Sequence, residues 1–161
     1  DYYMKKIEIG KKIKNFTAES TNKDEFNLKN YLGSHIVLFF YPKDNTPGCT
    51  QEGIEFSENF RKFKNSNAFI FGISRDSIKS HNNFKKKFKY KFDLISDADE
   101  YICNLFDVIK EKNMYGKKYM GIERSTFILN EKGILIKEWR KVKVNGHAEE
   151  VLNYIKELNK S

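Results

Sequence analysis

The sequence has few cysteines, prolines and arginines, and each scarcity excludes something. With only two cysteines, Cys49 and Cys103, the chain cannot form a disulfide framework. Two cysteines suit a reducing compartment, where a cysteine either packs in the core or takes part in a reaction. The only prolines, Pro42 and Pro47, both precede Cys49 closely. Four arginines against 26 lysines leave little capacity for the bidentate contacts by which arginine reads DNA bases.

Long apolar runs are also absent. The longest extends from Ile36 to Tyr41 and ends at Pro42. A membrane-spanning helix needs about 20 apolar residues, so no membrane partner is expected, and the sequence shows no signal-peptide pattern. We therefore predict an intracellular protein of a reducing compartment, the cytoplasm or the nucleus.

The sequence does contain enough apolar material for one sizeable core. Its 161 residues fit a single domain over residues 1–161. Apolar residues make up 39% of the chain, with 14 Phe and 9 Tyr, and a domain of this size buries roughly two thirds of the surface that its unfolded chain exposes. The fold therefore needs no covalent cross-links.

The formal net charge is +8, and lysine is densest in KKKFKYK at 85–91. Such a charge attracts phosphates without sequence preference, so a module that binds nucleic acid nonspecifically is one hypothesis. The other interpretation is that these lysines form the solvated face of a helix.

Alternating strand and helix patterns predict the fold class. Strands are predicted at 36–41, 68–73 and 92–96, where short runs are mostly apolar. The remaining elements are helices at 47–64, 76–90, within 97–108 (with Asp97 or Asp99 as its cap) and from about Asn145, and a hairpin at 125–130 and 134–139. This order predicts an α/β protein whose central mixed sheet has helices on both faces. In open α/β sheets ligands bind beyond the carboxyl ends of strands, which is where Cys49 follows its strand.

The corner Thr46-Pro47-Gly48-Cys49 has a physical reason for each residue. Proline suits the first position of a helix, and the threonine before it suits the N-cap. Cys49 then lies in the first turn, where the helix dipole and the backbone N–H groups favour the nucleophilic thiolate. Gly48 leaves room beside the sulfur for a small substrate. Because position 46 is threonine, the corner is not a Cys-x-x-Cys dithiol; an inert apolar cysteine is the alternative.

Beyond this local argument, the string FFYPKDNTPGCTQE resembles the active-site motif of peroxiredoxins, specifically their bacterioferritin-comigratory-protein or PrxQ branch. FTAEST near residue 16, SDAD at 96–99 and YMGIERSTFILNEKGIL at 119–135 resemble the same branch, in order and at fitting distances. The resemblance covers almost the whole chain.

The resemblance implies a thioredoxin-like fold and a thiol peroxidase that needs no metal or organic cofactor. It assigns Cys49 as the peroxidatic cysteine, Thr46 as a hydrogen-bond donor to the thiolate and the peroxide, and Pro42 as a shield of the site. It also implies that Arg124 is a second-site arginine; a guanidinium beside Cys49 would favour the thiolate and stabilise charge on the leaving oxygen. The implied partners are a peroxide and an external thiol reductant, such as thioredoxin or glutaredoxin with glutathione, and a monomer is expected.

The sequence departs from this branch at the resolving cysteine. The usual position, five residues after Cys49, is Ile54. Either an external thiol reduces the sulfenic acid directly, or Cys103 resolves it; we interpret Cys103 as structural. A redox sensor that passes its oxidation to a partner protein would use the same Cys49.

The remaining polar residues suggest no second site. His35, His81 and His147 lack metal-ligand spacing, and we expect all three at the surface or at helix ends. Asp44 and Asn45 are expected to be turn residues.

Overall fold

The structure is a computed structural model that describes residues 5–160; residues 1–4 and 161 of the predicted domain lie outside the described part. Its strands are β1 Thr17–Ser20, β2 Phe26–Asn27, β3 His35–Phe40, β4 Ala68–Ser74, β5 Asp93–Ser96, β6 Ile109–Met114, β7 Lys117–Ile122, β8 Ser125–Leu129 and β9 Leu135–Trp139. Its α-helices are α1 Pro47–Glu58, α2 Phe60–Asn65, α3 Ile78–Phe88, α4 Tyr101–Leu105 and α5 His147–Asn159.

Seven strands form one mixed sheet in the order β2-β1-β5-β4-β3-β8-β9. The three central strands β3, β4 and β5 are parallel, and β8 runs antiparallel to β3. The predicted α/β class with a mixed sheet is therefore confirmed. The carboxyl end of β3 lies beside the start of β8, because Phe40 pairs with Ser125.

The sheet separates two apolar cores. Along β3 successive side chains alternate between the faces, so that Val37 and Phe39 join one core while Ile36 and Leu38 join the other. Helices α1, α2, α3 and α5 contribute to the first core, and α4 contributes to the second. We call them the Cys49 face and the Cys103 face, because each contains one of the two cysteines.

Two predicted helices are shorter than expected. The helix predicted at 47–64 is interrupted at Asn59, whose side-chain amide donates to the Glu55 carbonyl, the acceptor that its own backbone N–H would use in a continuous helix. The helix predicted at 76–90 begins at Ile78, after Ser77 caps it, and ends before Lys89, whose left-handed backbone stops it. Most of the lysines of 85–91 point into solvent, and nucleic-acid binding stays a prediction.

The prediction that all three histidines lie at the surface or at helix ends is wrong for His35 and His81, which are buried in β3 and α3. His147 is the first residue of α5, as predicted, and it is also buried. His35 contacts Asn159, His81 contacts Asp44 and Ile95, and His147 contacts Thr126. Each imidazole is accommodated because a polar partner from a distant part of the chain meets it.

The β6–β7 hairpin was not predicted and stands apart from the large sheet. Its strands carry few buried side chains, so they lack the apolar alternation that marks a strand. Within residues 5–160, no helix combines the length and the apolar character that crossing a membrane would require.

Candidate active site

Helix α1 places Cys49 as the local sequence predicts. Thr46 is the N-cap residue with an extended backbone, Pro47 is the first helical residue, and Cys49 lies in the first turn. The cysteine is only 2% exposed. A buried sulfur at the start of a twelve-residue helix experiences the positive end of the helix dipole with little screening by water.

Arg124 completes the environment of the sulfur. Its Nη2 donates to Cys49 Sγ at 3.3 Å. The arginine is distant in sequence, but it directly precedes β8, and the Phe40–Ser125 pairing brings that point to the end of β3. Burial acts to lower the pKa of Arg124, but Glu52 and Cys49 together outweigh this effect, so the pKa is raised. The group is therefore a permanent cation at the thiol.

Glu52 is a member of the site that sequence reasoning missed. Arg124 Nη1 donates to Glu52 Oε1 at 2.6 Å, and the carboxyl group is buried. Burial raises the pKa of Glu52 to about 7 even though Arg124 acts to lower it. The other oxygen, Oε2, has no hydrogen-bond partner in residues 5–160. The available signal was its spacing: residues three apart share a helix face, so Glu52 lies above Cys49.

Two glycines of α1 make room for the groups around the sulfur. A Cβ atom at Gly48 would lie 3.2 Å from Arg124 Nη2, so the absence of a side chain at this position admits the guanidinium. A Cβ atom at Gly53 would lie 2.3 Å from the ring of Tyr90. The Tyr90 hydroxyl donates to the Thr50 carbonyl at 3.0 Å. Tyr90 thus packs on the helix one turn beyond Cys49.

Thr46 and Pro42 lie in the loop that leads into α1. The Thr46 hydroxyl donates to the Lys43 carbonyl at 2.7 Å, and within the described part of the chain it makes no hydrogen bond to Cys49. Pro42 directly follows Tyr41, which ends the buried run after β3. The structure therefore brings Cys49 and Arg124 into contact and places both other residues in the adjoining loop.

Asp44 is more than the expected turn residue, because its side chain is buried. Its carboxylate accepts hydrogen bonds from Tyr41 and Ser80 and lies 2.7 Å from His81 Nδ1. Its own backbone N–H donates to Asp76. These contacts fix the loop before α1. Asn45, with a φ of 62°, does behave as a turn residue.

A cation could in principle be held by Asp44, Asp76 and His81, whose ligand atoms lie within 4.8 Å of one another. The carboxylate oxygens concerned already accept hydrogen bonds from Ser74 and Ser80, and one of them lies 2.7 Å from His81 Nδ1. The cluster therefore functions as a hydrogen-bond network that supports the loop.

Cys103 lies on the other face of the sheet. It is fully buried in α4, and its backbone N–H donates to Asp97 Oδ2 at 2.7 Å. Burial and the Asp97 carboxylate raise the pKa of Cys103. The N-cap residue of α4 is Glu100 rather than the predicted Asp97 or Asp99, although both aspartates accept N–H groups from the first turn of the helix. The sheet and its side chains therefore stand between the two thiols.

Known proteins resemble the chain over nearly its full length. The AhpC/TSA family pattern matches residues 9–138. Peroxiredoxin Bcp of Xanthomonas campestris is 54% identical over 129 residues, which cover 80% of this chain and 81% of that protein. A solved structure of a Xylella fastidiosa PrxQ mutant has a TM-score of 0.91 and 43% identity, and covers 96% of this chain and 99% of that one. The Xanthomonas campestris bacterioferritin comigratory protein, solved in work on its alkyl peroxide reduction activity, has a TM-score of 0.83 and 49% identity, over 88% and 90%.

Proposed function

The chain belongs to the AhpC/TSA family as a thioredoxin-fold peroxiredoxin of the Bcp/PrxQ kind, a thiol-dependent peroxidase, and on that premise we propose that Cys49 is its peroxidatic nucleophile. The observation that carries the proposal is the 3.3 Å contact between Arg124 Nη2 and Cys49 Sγ at the start of α1. A guanidinium and a helix N-terminus together favour the thiolate over the thiol.

The reaction uses hydrogen peroxide or an alkyl hydroperoxide, ROOH. The Cys49 thiolate attacks the terminal oxygen, so that an S–O bond forms as the O–O bond breaks. Sulfur is oxidised to the sulfenic acid, and the leaving alkoxide takes a proton to become ROH, or water when R is hydrogen. Arg124 stabilises negative charge on the leaving oxygen. Alkyl peroxide reduction by the related Xanthomonas campestris protein supports this substrate class.

Thr46 and Pro42 are assigned supporting roles. Thr46 turns its hydroxyl towards the peroxide when substrate enters, exchanging the Lys43 carbonyl for the new acceptor. Pro42, at the head of the loop, shields the sulfur from bulk water. These assignments rest on the match of both residues to the family motif and on the loop position that they share.

An external thiol regenerates Cys49 in this proposal. Position 54 is isoleucine, and Cys103 lies on the opposite face of the sheet. A disulfide needs Cα atoms within about 7 Å of each other, and the intervening sheet argues against such an approach. The mechanism is therefore of the one-cysteine type, and it requires no metal or organic cofactor.

Intact-mass measurement tests the proposal. The reduced protein receives one equivalent of hydrogen peroxide, beside the Cys49→Ser and Cys103→Ser variants. We expect a gain of one oxygen that requires Cys49 and not Cys103. A loss of two hydrogens that requires both cysteines would make Cys103 the resolving residue, and an unchanged wild-type mass would remove the peroxidase assignment of Cys49.

A further inference from the structure

The β6–β7 hairpin exposes an unusual amount of apolar surface. Of the seven large hydrophobic side chains that are strongly exposed in residues 5–160, four belong to this hairpin. They are Met114, Tyr115, Tyr119 and Met120. Tyr115 is 99% exposed at the tip, so it packs against no other part of residues 5–160. Clustered exposed apolar groups of this kind mark interaction surfaces.

The backbone conformation of the hairpin turn makes tyrosine an unfavourable residue at position 115. Tyr115 and Gly116 both have positive φ, 53° and 79°, which is the pattern of a type I′ hairpin turn. Asparagine or glycine adopts the first of these positions at low cost, whereas a bulky side chain is strained there. A tyrosine at this point therefore contributes no stability that asparagine would lack.

The hairpin is attached to the active site. Strand β7 ends at Ile122, two residues before Arg124, which contacts Cys49 Sγ. Arg75 bridges the hairpin to the fold, because its Nη1 donates to the Met120 carbonyl and to Glu100.

The hairpin is basic as well as apolar. Between Lys110 and Lys118 it carries four lysines against one acidic residue, Glu111. Lys117 and Lys118 are exposed beside the tip. The surface thus combines flexible methionines, aromatic side chains and positive charge, and it complements an acidic partner with an apolar centre.

We propose that the β6–β7 hairpin is the docking surface for the protein that reduces oxidised Cys49, an acidic protein dithiol of the thioredoxin type. The inference rests on the proposed function, because a sulfenic acid with no resolving cysteine on its own face of the sheet needs a partner thiol at each turnover. Cys49 is nearly buried, so that partner must bind beside it, and the hairpin is the apolar surface connected to the site.

The chemistry that docking serves balances as follows. One partner thiol attacks the sulfur of the Cys49 sulfenic acid, a mixed disulfide forms, and water leaves. The second partner thiol then attacks the partner's own sulfur in that bond, which releases Cys49 as a thiol. The dithiol is oxidised to a disulfide, and Cys49 is reduced by two electrons.

Steady-state peroxidase assays with two reductants test the proposal. One is an acidic thioredoxin, recycled by NADPH and thioredoxin reductase; the other is dithiothreitol, which needs no docking surface. The variant Tyr115→Asn with Met120→Thr removes apolar contacts while providing an Asn-Gly turn and a β-branched strand residue, both of which favour the hairpin. We expect kcat/KM for thioredoxin to fall about tenfold or more, as for loss of an aromatic anchor, with dithiothreitol turnover unchanged.

Charge reversal provides the matched comparison. Lys117→Glu with Lys118→Glu should lower the association rate with thioredoxin and weaken its dependence on salt. Lys29→Glu with Lys132→Glu makes the same change in net charge on exposed side chains near the other end of β3, and should have little effect.

Three results would overturn the inference. Thioredoxin turnover that is unchanged in both hairpin variants would remove the docking role. An equal loss with both reductants would make the hairpin a structural part of the active site. The third is that the wild type binds vesicles of phosphatidylcholine and phosphatidylglycerol, whereas the variant Tyr115→Asn with Met120→Thr does not bind them and yet keeps wild-type kinetics with thioredoxin. That result would assign the surface to membranes instead. Wild type that reduces peroxide with neither reductant would overturn the proposed function itself.

Discussion

The two cysteines of this chain are almost equally buried, but the charged groups beside them differ. Cys49 is 2% exposed and Cys103 is 0% exposed, and each packs against one face of the same sheet. Beside Cys49 lies the Arg124 guanidinium, whereas beside Cys103 lies the Asp97 carboxylate. Because burial is nearly the same, the difference in expected reactivity comes from the charge that each face of the sheet brings to the sulfur.

Burial alone disfavours a thiolate, since an ion loses its hydration in the core. At Cys103 the neighbouring carboxylate adds to this cost, and the pKa of Cys103 is raised. At Cys49 the guanidinium and the first turn of α1 act in the opposite direction. A buried cysteine can therefore be either inert or nucleophilic, and the sign of the nearest charge decides which.

Selective alkylation offers the largest contrast between the two thiols. A short pulse of iodoacetamide at pH 7 on the native, reduced protein should label Cys49 at least about a thousandfold faster than Cys103. The Arg124 guanidinium favours the reactive thiolate at Cys49, whereas burial and Asp97 raise the pKa of Cys103 and so disfavour its thiolate. Peptide mass spectrometry measures both sites in one sample. Labelling the urea-unfolded protein is the control, and there the two rates should converge. Similar native rates would contradict the comparison.

Removing the cation at Cys49 should make that thiol resemble the other. We expect Arg124→Met to lower the second-order rate of Cys49 oxidation by peroxide about 100-fold to 1,000-fold, the usual loss when one preorganised donor is removed. Stopped-flow kinetics under single-turnover conditions measure this rate. Arg124→Lys should fall between, since an ammonium group keeps the charge but loses the planar fork.

The matched control is Arg61→Met, which removes an exposed arginine of α2 and should leave the rate unchanged. A wild-type rate in Arg124→Met would mean that the helix N-terminus alone activates the sulfur.

Sequence reasoning found the Cys49 half of this comparison because its signals are local. A strand, a Pro-Gly corner and a helix follow one another within residues 36–58, and the structure keeps that order. The resemblance to a family supplied Arg124, which local patterns could not connect with Cys49. Glu52 was missed because its significance depends on Arg124, a residue that only the β3–β8 pairing brings near.

The errors have the same physical origin. His81 interrupts an apolar helix face, and nothing near it in sequence indicates that Asp44 and the Ile95 carbonyl will satisfy both ring nitrogens. The β6–β7 hairpin was missed because its strands are exposed on both faces and show no alternation. Local patterns thus predict elements with one apolar face, and they fail where long-range polar contacts or an external partner determine the residue.

A pH series sharpens the contrast on the Cys49 face. The Glu52 carboxyl has a pKa of about 7 when folded against an ordinary 4.5, so folding takes up a proton between these values. Its contribution to stability is therefore present below about pH 4.5 and is lost as the pH rises through 7, by at most about 3 kcal/mol. Glu52→Gln removes this titration. The free energy of unfolding of the variant, relative to that of the wild type, should therefore rise from pH 5 to pH 8.

Urea unfolding of both proteins at each pH measures that difference. Glu58→Gln, an exposed change in the same helix, is the control and should run parallel to wild type. If the free energy of unfolding of Glu52→Gln also ran parallel to that of the wild type from pH 5 to pH 8, Glu52 would have to stay ionised beside Arg124 over that range.

The smallest effect is expected on the Cys103 face, and it concerns stability alone. Asp97 accepts the N–H groups of Ile102 and Cys103 with its two oxygens, whereas an asparagine offers only one acceptor. Asp97→Asn should therefore lower the free energy of unfolding by about 1 kcal/mol, a typical cost of weakening a helix cap. Peroxide turnover with dithiothreitol should stay at the wild-type value, because the sheet separates this carboxylate from Cys49. A loss of turnover larger than the loss of folded protein would show that the two faces are coupled, and would end the interpretation of Cys103 and its carboxylate as purely structural.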